Sequence, residues 1–168
     1  MSTELLRILL AVVLLGFGAS MARAQQLVLA DQGRSEFVIV VADDASPSTK
    51  YAAQELQRWL REMTGATLPI VSDEGQPRPH EIILGDNAHL RRLKVDVDFA
   101  KLGKEGYVLR TQGPHLVIAG GALRGNLYGV YGLLEDHLGC RWFTPTVSRI
   151  PHVERLVVGP LNETKVPV

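Results

Sequence analysis

The chain has 168 residues, 18 basic against 18 acidic side chains and a single cysteine. That balance gives no electrostatic basis for binding nucleic acid or an anionic membrane. One cysteine rules out an internal disulfide, so any fold must stand on its hydrophobic core.

The first residues read as an export signal. Arg7 supplies a positive start, Ile8–Phe17 is an apolar run, and Ala22-Arg23-Ala24 has the small-x-small form of a cleavage site. The run is far shorter than the roughly 20 residues a membrane-spanning helix needs. Residues 1–24 are therefore expected to be a signal peptide, leaving a secreted or periplasmic domain of 144 residues, with no membrane attachment after cleavage. Without Glu4, Arg7 and Arg23 it carries 16 basic and 17 acidic residues, still close to neutral.

Leu27–Ala30 and Phe37–Ala42 are short apolar runs and predict strands. Asp43–Ser48 leads into a helix, with Ser46 as its cap and Pro47 in its first turn. Ala52, Leu56, Trp59, Leu60 and Met63 form one stripe at helical spacing, and Gly65 ends the helix. Leu68–Val71 and Glu81–Leu84 are strand candidates on either side of a polar loop, Ser72–His80. The order strand, helix, strand, loop, strand predicts a crossover and at least one parallel pair. A short helical piece is expected around Ala88–Leu93, followed by loop. Gly106–Thr111 and His115–Ala119, joined by Gln112-Gly113-Pro114, predict a hairpin.

After Gly120-Gly121 a second helix is marked by Leu127, Val130, Tyr131, Leu134 and Leu138, with Gly139 as its stop. Cys140–Thr144 and Arg155–Val158 are the last strand candidates. The expected fold is α/β of the α+β kind: a mixed sheet of six or seven strands, with two main amphipathic helices on one face. The domain is expected to occupy residues 25–160, and residues 161–168 read as a linker start or a truncated end.

No catalytic set is visible. The five histidines stand singly, without His-x-x-x-His, Cys-x-x-Cys or Glu-x-x-His spacing, so neither metal nor other cofactor is expected. Gly120-Gly121-x-x-x-Gly125 lacks the order of a dinucleotide or phosphate loop. Its glycines suit a tight turn and close helix–sheet packing, and the adjacent free amides with Arg124 also suit a carboxylate. Glycoside cleavage needs two carboxylates about 5–10 Å apart across a cleft. Glu135 and Asp136 are helix neighbours that diverge, and no serine sits in a Gly-x-Ser-x-Gly elbow. Cys140 is expected to be buried and inert. Candidate carbohydrate- or carboxylate-binding residues are Arg124, Tyr128, Arg141 and Trp142, because guanidinium donors beside aromatic faces suit sugars. One face of its strand must be buried, and a core role for Trp142 is the favoured reading over an exposed sugar-stacking platform.

Three segments carry a family resemblance: the stretch Tyr51-Ala-Ala-Gln-Glu-Leu-Gln-Arg-Trp-Leu continuing to Val71, then Glu105-Gly-Tyr-Val108, then Gly120 to Pro145 with its Gly-Cys-Arg-Trp-Phe ending. In this order they resemble the N-terminal domain of α-glucuronidase-type, family 67-like glycoside hydrolases and related secreted proteins. That domain is similar to the second domain of β-N-acetylhexosaminidases. The resemblance covers about Phe37 to Pro151. It implies a small mixed sheet with helices, set before a (β/α)8 barrel that holds the catalytic acids. The implied role is a non-catalytic accessory domain in polysaccharide or xylan side-chain degradation, with a glycan or such a barrel as partner. A stand-alone carbohydrate-binding module and a purely structural docking domain are the alternative readings.

Overall fold

A computed structural model describes residues 26–167. The expected signal segment, residues 1–24, lies outside the described residues. In chain order the elements are β1 (Leu27–Asp31), β2 (Val38–Val41), α1 (Pro47–Thr64), β3 (Ile70–Ser72), β4 (Glu81–Leu84), α2 (Ala88–Arg92), α3 (Phe99–Leu102), β5 (Tyr107–Gln112), β6 (His115–Gly120), α4 (Gly125–Gly132), β7 (Arg141–Thr144), β8 (Val147–Arg149), β9 (Arg155–Val158) and β10 (Asn162–Lys165). A π-helical turn, Leu133–His137, extends α4.

Six strands form the main sheet in the order β10-β5-β6-β4-β2-β3. The β3, β2, β4 and β6 pairings are parallel, whereas β5 and β10 add antiparallel neighbours. The crossover and the hairpin read from the sequence are both present. Two antiparallel ribbons, β1–β9 and β7–β8, flank the sheet.

Residues 162–165 differ from expectation. Instead of starting a linker, they form the edge strand β10, with Asn162 opposite Arg110 and Lys165 opposite Tyr107. The stretch is polar and mostly exposed because an edge strand packs little side chain; backbone pairing holds it.

The 18-residue α1 is built as its sequence dictates. Ser46 Oγ accepts from the Thr49 amide at 3.2 Å, and Gly65 closes the helix in a left-handed conformation that glycine adopts without strain. Its stripe of Ala52, Leu56, Trp59, Leu60 and Met63 lies against Ile39, Val41, Ile82, Leu84 and Ile118 of the sheet. Burying each large side chain contributes about 1.5–3 kcal/mol.

Helix α4 covers the same face by a different device. A β-carbon on Gly120 would lie 2.0 Å from the Gly125 carbonyl carbon, and one on Gly129 would lie 2.8 Å from Ile118. The helix therefore rides directly on β5 and β6. In the π-turn Leu138 N–H donates to Leu133 C=O at 3.1 Å, and the widened turn buries Leu133 and Leu134 side by side.

The opposite face carries a smaller core of Ile83, Leu90, Val117 and Ala119, covered by α2 and the segment through Val95, Val97 and Phe99. Strand alternation divides the two: Ile82 and Leu84 point to the helices α1 and α4, Glu81 and Ile83 the other way.

Candidate functional site

The four residues singled out from the sequence fall into two pairs. Arg124 precedes α4; its guanidinium pairs with Glu105 and lies 5.6 Å from the centre of the Tyr128 ring. Both the ion pair and the hydrogen bond to Glu105 hold Arg124 in its charged form. Arg141 opens β7, and its guanidinium donates to the backbone carbonyls of Glu135 and, at 2.7 Å, Cys140. Trp142 is half-buried, edge-on to Trp59 at 5.2 Å and to Tyr131 at 5.0 Å. Its ring completes the margin of the core, while Phe143 beside it is 65% exposed. Along one strand Trp142 faces in and Phe143 out, as the period of two requires.

Tyr131 joins the two pairs. It packs on Trp142 and, with Tyr107 and Tyr128, lines a cleft of about 400 Å³ that also holds Glu105, Glu135, Asp136 and Lys165. The tyrosines are already engaged. Tyr131 O–H donates to Glu55 at 2.6 Å, and the Tyr107 ring lies against Gly129 and Gly132. Lys165 bridges to Asp136 at 2.5 Å and holds that carboxyl below its ordinary range. A general acid for glycoside cleavage needs the opposite shift. Glu105 is likewise tied to Arg124.

A larger cleft, about 570 Å³, opens between β1, the segment that follows it as far as Phe37, and His80 and Pro114. Asp31, Arg34, Glu36, Phe37, His80 and Pro114 are among its walls. Its carboxylates too have cationic or imidazole partners: Asp31 meets Arg155 at 2.6 Å, and Glu36 meets His80 at 3.5 Å. Among the described residues no group of three or more His, Cys, Asp or Glu is placed to hold a metal ion, and no helix is long and apolar enough to cross a membrane.

Two buried carboxylates escaped sequence reading. Glu55, 6% exposed, faces inward from α1 and accepts from Trp59 Nε1 at 3.0 Å and from the Tyr131 hydroxyl. Burial, and then the Glu55 carboxylate, push the Tyr131 hydroxyl up to about 12. Glu81, 1% exposed, starts β4 and accepts from the Arg78 amide at 2.8 Å and faces His89 Nδ1 at 2.9 Å. Glu81 is the polar start of an otherwise apolar strand, and Glu55 lies beside the apolar stripe of α1; both positions were visible signals. Their partners lie in other elements, out of reach of local pattern. Cys140 is fully buried, and burial pushes its thiol up to about 11, so it is a thiol at neutral pH.

Residues 22–133 match the family described as glycosyl hydrolase family 67 N-terminus. The chain belongs to this family. No curated protein matches it. Among solved structures, a family GH115 4-O-methyl-α-glucuronidase with specificity for decorated arabinogalactans superposes with a TM-score of 0.62 at 22% identity, over 84% of this chain and 18% of that one. The GH20 β-N-acetylhexosaminidase from Streptomyces coelicolor A3(2) gives a TM-score of 0.51 at 18% identity, over 87% of this chain and 26% of that one. At these identities the likeness is one of fold: the mixed sheet with its helices is the hexosaminidase-like domain expected from the sequence. The chain spans about a fifth to a quarter of the length of these two structures.

Proposed function

We propose that this family 67 N-terminal domain is a non-catalytic accessory module of glycan degradation, exported by its N-terminal signal and working beside a catalytic barrel. Family membership and the small share of each larger hydrolase that the fold occupies support the accessory role. The observation that carries the non-catalytic reading is the state of the carboxylates. Glu55 and Glu81 are buried and bonded, and Asp31, Glu105 and Asp136 are each tied to a cation. An acid and a base facing each other across a sugar would need one carboxyl free to hold a proton and a second free to ionise.

The test is turnover by the purified chain on aryl α-glucuronides, including the 4-O-methyl form, and aryl β-N-acetylhexosaminides. No release of the chromophore above background is expected. Activity that survives purification and falls on mutating Glu135, the cleft carboxylate with no cationic partner among the described residues, would refute the reading.

A stand-alone glycan-binding role draws its support from the tyrosine-lined cleft near Arg124. Calorimetry with xylo-oligosaccharides and glucuronoxylan fragments tests it: binding lost in Tyr128→Ala favours this role, and no heat at millimolar sugar counts against it.

A further inference from the structure

The β7–β8 ribbon stands apart from the main sheet as a two-stranded sheet of its own. From Arg141 to Arg149 it contains two arginines, a tryptophan, a phenylalanine and a valine, but no lysine and no acid. Residues directly opposite each other on antiparallel strands share a face. Trp142 is opposite Ser148, and that face turns toward Trp59 and Tyr131. The other face therefore carries Arg141 opposite Arg149 and Thr144 opposite Val147. Phe143 joins it, because the register shifts between Trp142 and Thr144 and such a bulge re-aims a side chain. Phe143, Val147 and Arg149 are all exposed.

The charges on this face are unbalanced. Side chains at opposite positions start about 5 Å apart, and like charges there repel. Arg141 uses Nη1 on the carbonyls of Glu135 and Cys140, which leaves Nε and Nη2 to other partners. The arginines that form ion pairs among the described residues are Arg58, Arg91, Arg124 and Arg155; Arg149 forms none there. The neighbouring acids do not fill the gap. Asp136 is bound to Lys165, and Arg141 meets Glu135 through the main chain. Two guanidiniums with spare donors, rooted opposite each other, suit a planar carboxylate, because each fork can donate in parallel to its oxygens.

We propose that this face binds a linear polysaccharide that carries carboxylates, with one carboxylate held between Arg141 and Arg149 and a sugar ring laid on Phe143. Arg141 and Phe143 are two residues apart, about 7 Å along the strand, so both contacts fall within a short stretch of one sugar chain. The aromatic platform is Phe143, whose ring meets water, and not Trp142, which Trp59 and Tyr131 hold edge-on. A protein partner would need a broader surface. Each side of a stable protein interface buries about 800 Å², and this face offers two apolar side chains. The site is separate from the tyrosine-lined cleft, and it rests on the accessory reading only in taking a polysaccharide as the ligand.

The experiment is calorimetry on the whole chain at low ionic strength, where charge pairing is least screened. The probes are a galacturonate hexamer and the same hexamer fully methyl-esterified. The free acid should bind, and esterification should weaken binding about tenfold or more, since a neutral ester gives the arginines no charged acceptor. Arg149→Ala and Phe143→Ala, at exposed positions where the fold tolerates change, should each cost about tenfold in affinity. Arg149→Lys, which keeps the charge without the fork, should lose nearly as much. Arg92→Ala removes the same charge from α2 on the opposite face and should leave binding unchanged. Equal binding of the ester, full affinity in Arg149→Ala or Phe143→Ala, or an equal loss in Arg92→Ala overturns the proposal. No heat with the millimolar hexamer also overturns it and leaves the ribbon to a protein partner. Turnover of aryl glycosides would refute the accessory reading and leave the ribbon result standing, so the two failures are told apart.

Discussion

Each face of the sheet buries one carboxylate, and the two are satisfied by different chemistry. Under α1 and α4, Glu55 is held by an indole N–H and a phenol O–H, with the Arg58 guanidinium 3.6 Å from its other oxygen, all groups that keep their protons across the physiological range. On the other face Glu81 is held by a loop amide and a histidine, with a second histidine nearby. The first arrangement sits inside a large apolar core and joins the two main helices. The second sits at the margin of a core of four buried residues and ties down a loop. A buried carboxylate is costly unless bonded, so both are structural. Only the second has imidazole rings facing it.

The steepest way to break the helix-covered face is Gly120→Ala. The new methyl would fall 2.0 Å from the Gly125 carbonyl carbon and 2.3 Å from the Asn126 nitrogen, both backbone atoms that cannot turn aside. The expected loss is about 4 kcal/mol or more, enough to leave the chain largely unfolded. Urea titration followed by circular dichroism measures it. A loss below about 1 kcal/mol would mean that α4 does not ride on β6 as closely as described.

Next in size is Glu55→Ala, which leaves the Trp59 N–H and the Tyr131 hydroxyl without their acceptor. A cost of about 2–4 kcal/mol is expected, against about 1 kcal/mol for Tyr131→Phe, which removes donor and bond together. Equal costs for the two variants would show that water takes over the tyrosine's role, and the contrast between the two faces would weaken.

Much of this fold was legible in the chain. Ser46, Pro47 and Gly65 bracket α1, and its apolar stripe points at the sheet as the spacing requires. The crossover with its parallel pair and the hairpin also follow from local pattern. What was not legible depends on partners far apart in sequence. Glu55 and Tyr131 are 76 residues apart, and the Glu81–His115 meeting depends on parallel register. Strand β10 escaped because Asn162–Lys165 has no apolar alternation and is held by backbone pairing alone. The inward turn of Trp142 is the favoured choice from strand alternation, but its partners Trp59 and Tyr131 are set by tertiary packing. The π-turn leaves the same leucine spacing as an ordinary helix end, so periodicity could not separate them.

The smallest effect sharpens the comparison at alkaline pH. Burial pushes the Cys140 thiol from an ordinary 9 up to about 11. A group whose folded value is raised favours the fold fully below its unfolded value and loses that contribution as pH climbs through the folded one. The helix-covered face should therefore weaken from about pH 9, by about 1 kcal/mol between pH 8 and 10 for this one group. Cys140→Ala should remove that part of the slope, leaving the later onset from Tyr131, pushed up to about 12. A thiol reagent at pH 8 should label the native chain only as fast as it unfolds. Rapid labelling without unfolding would show that Cys140 reaches solvent and would remove the cause given for its shift.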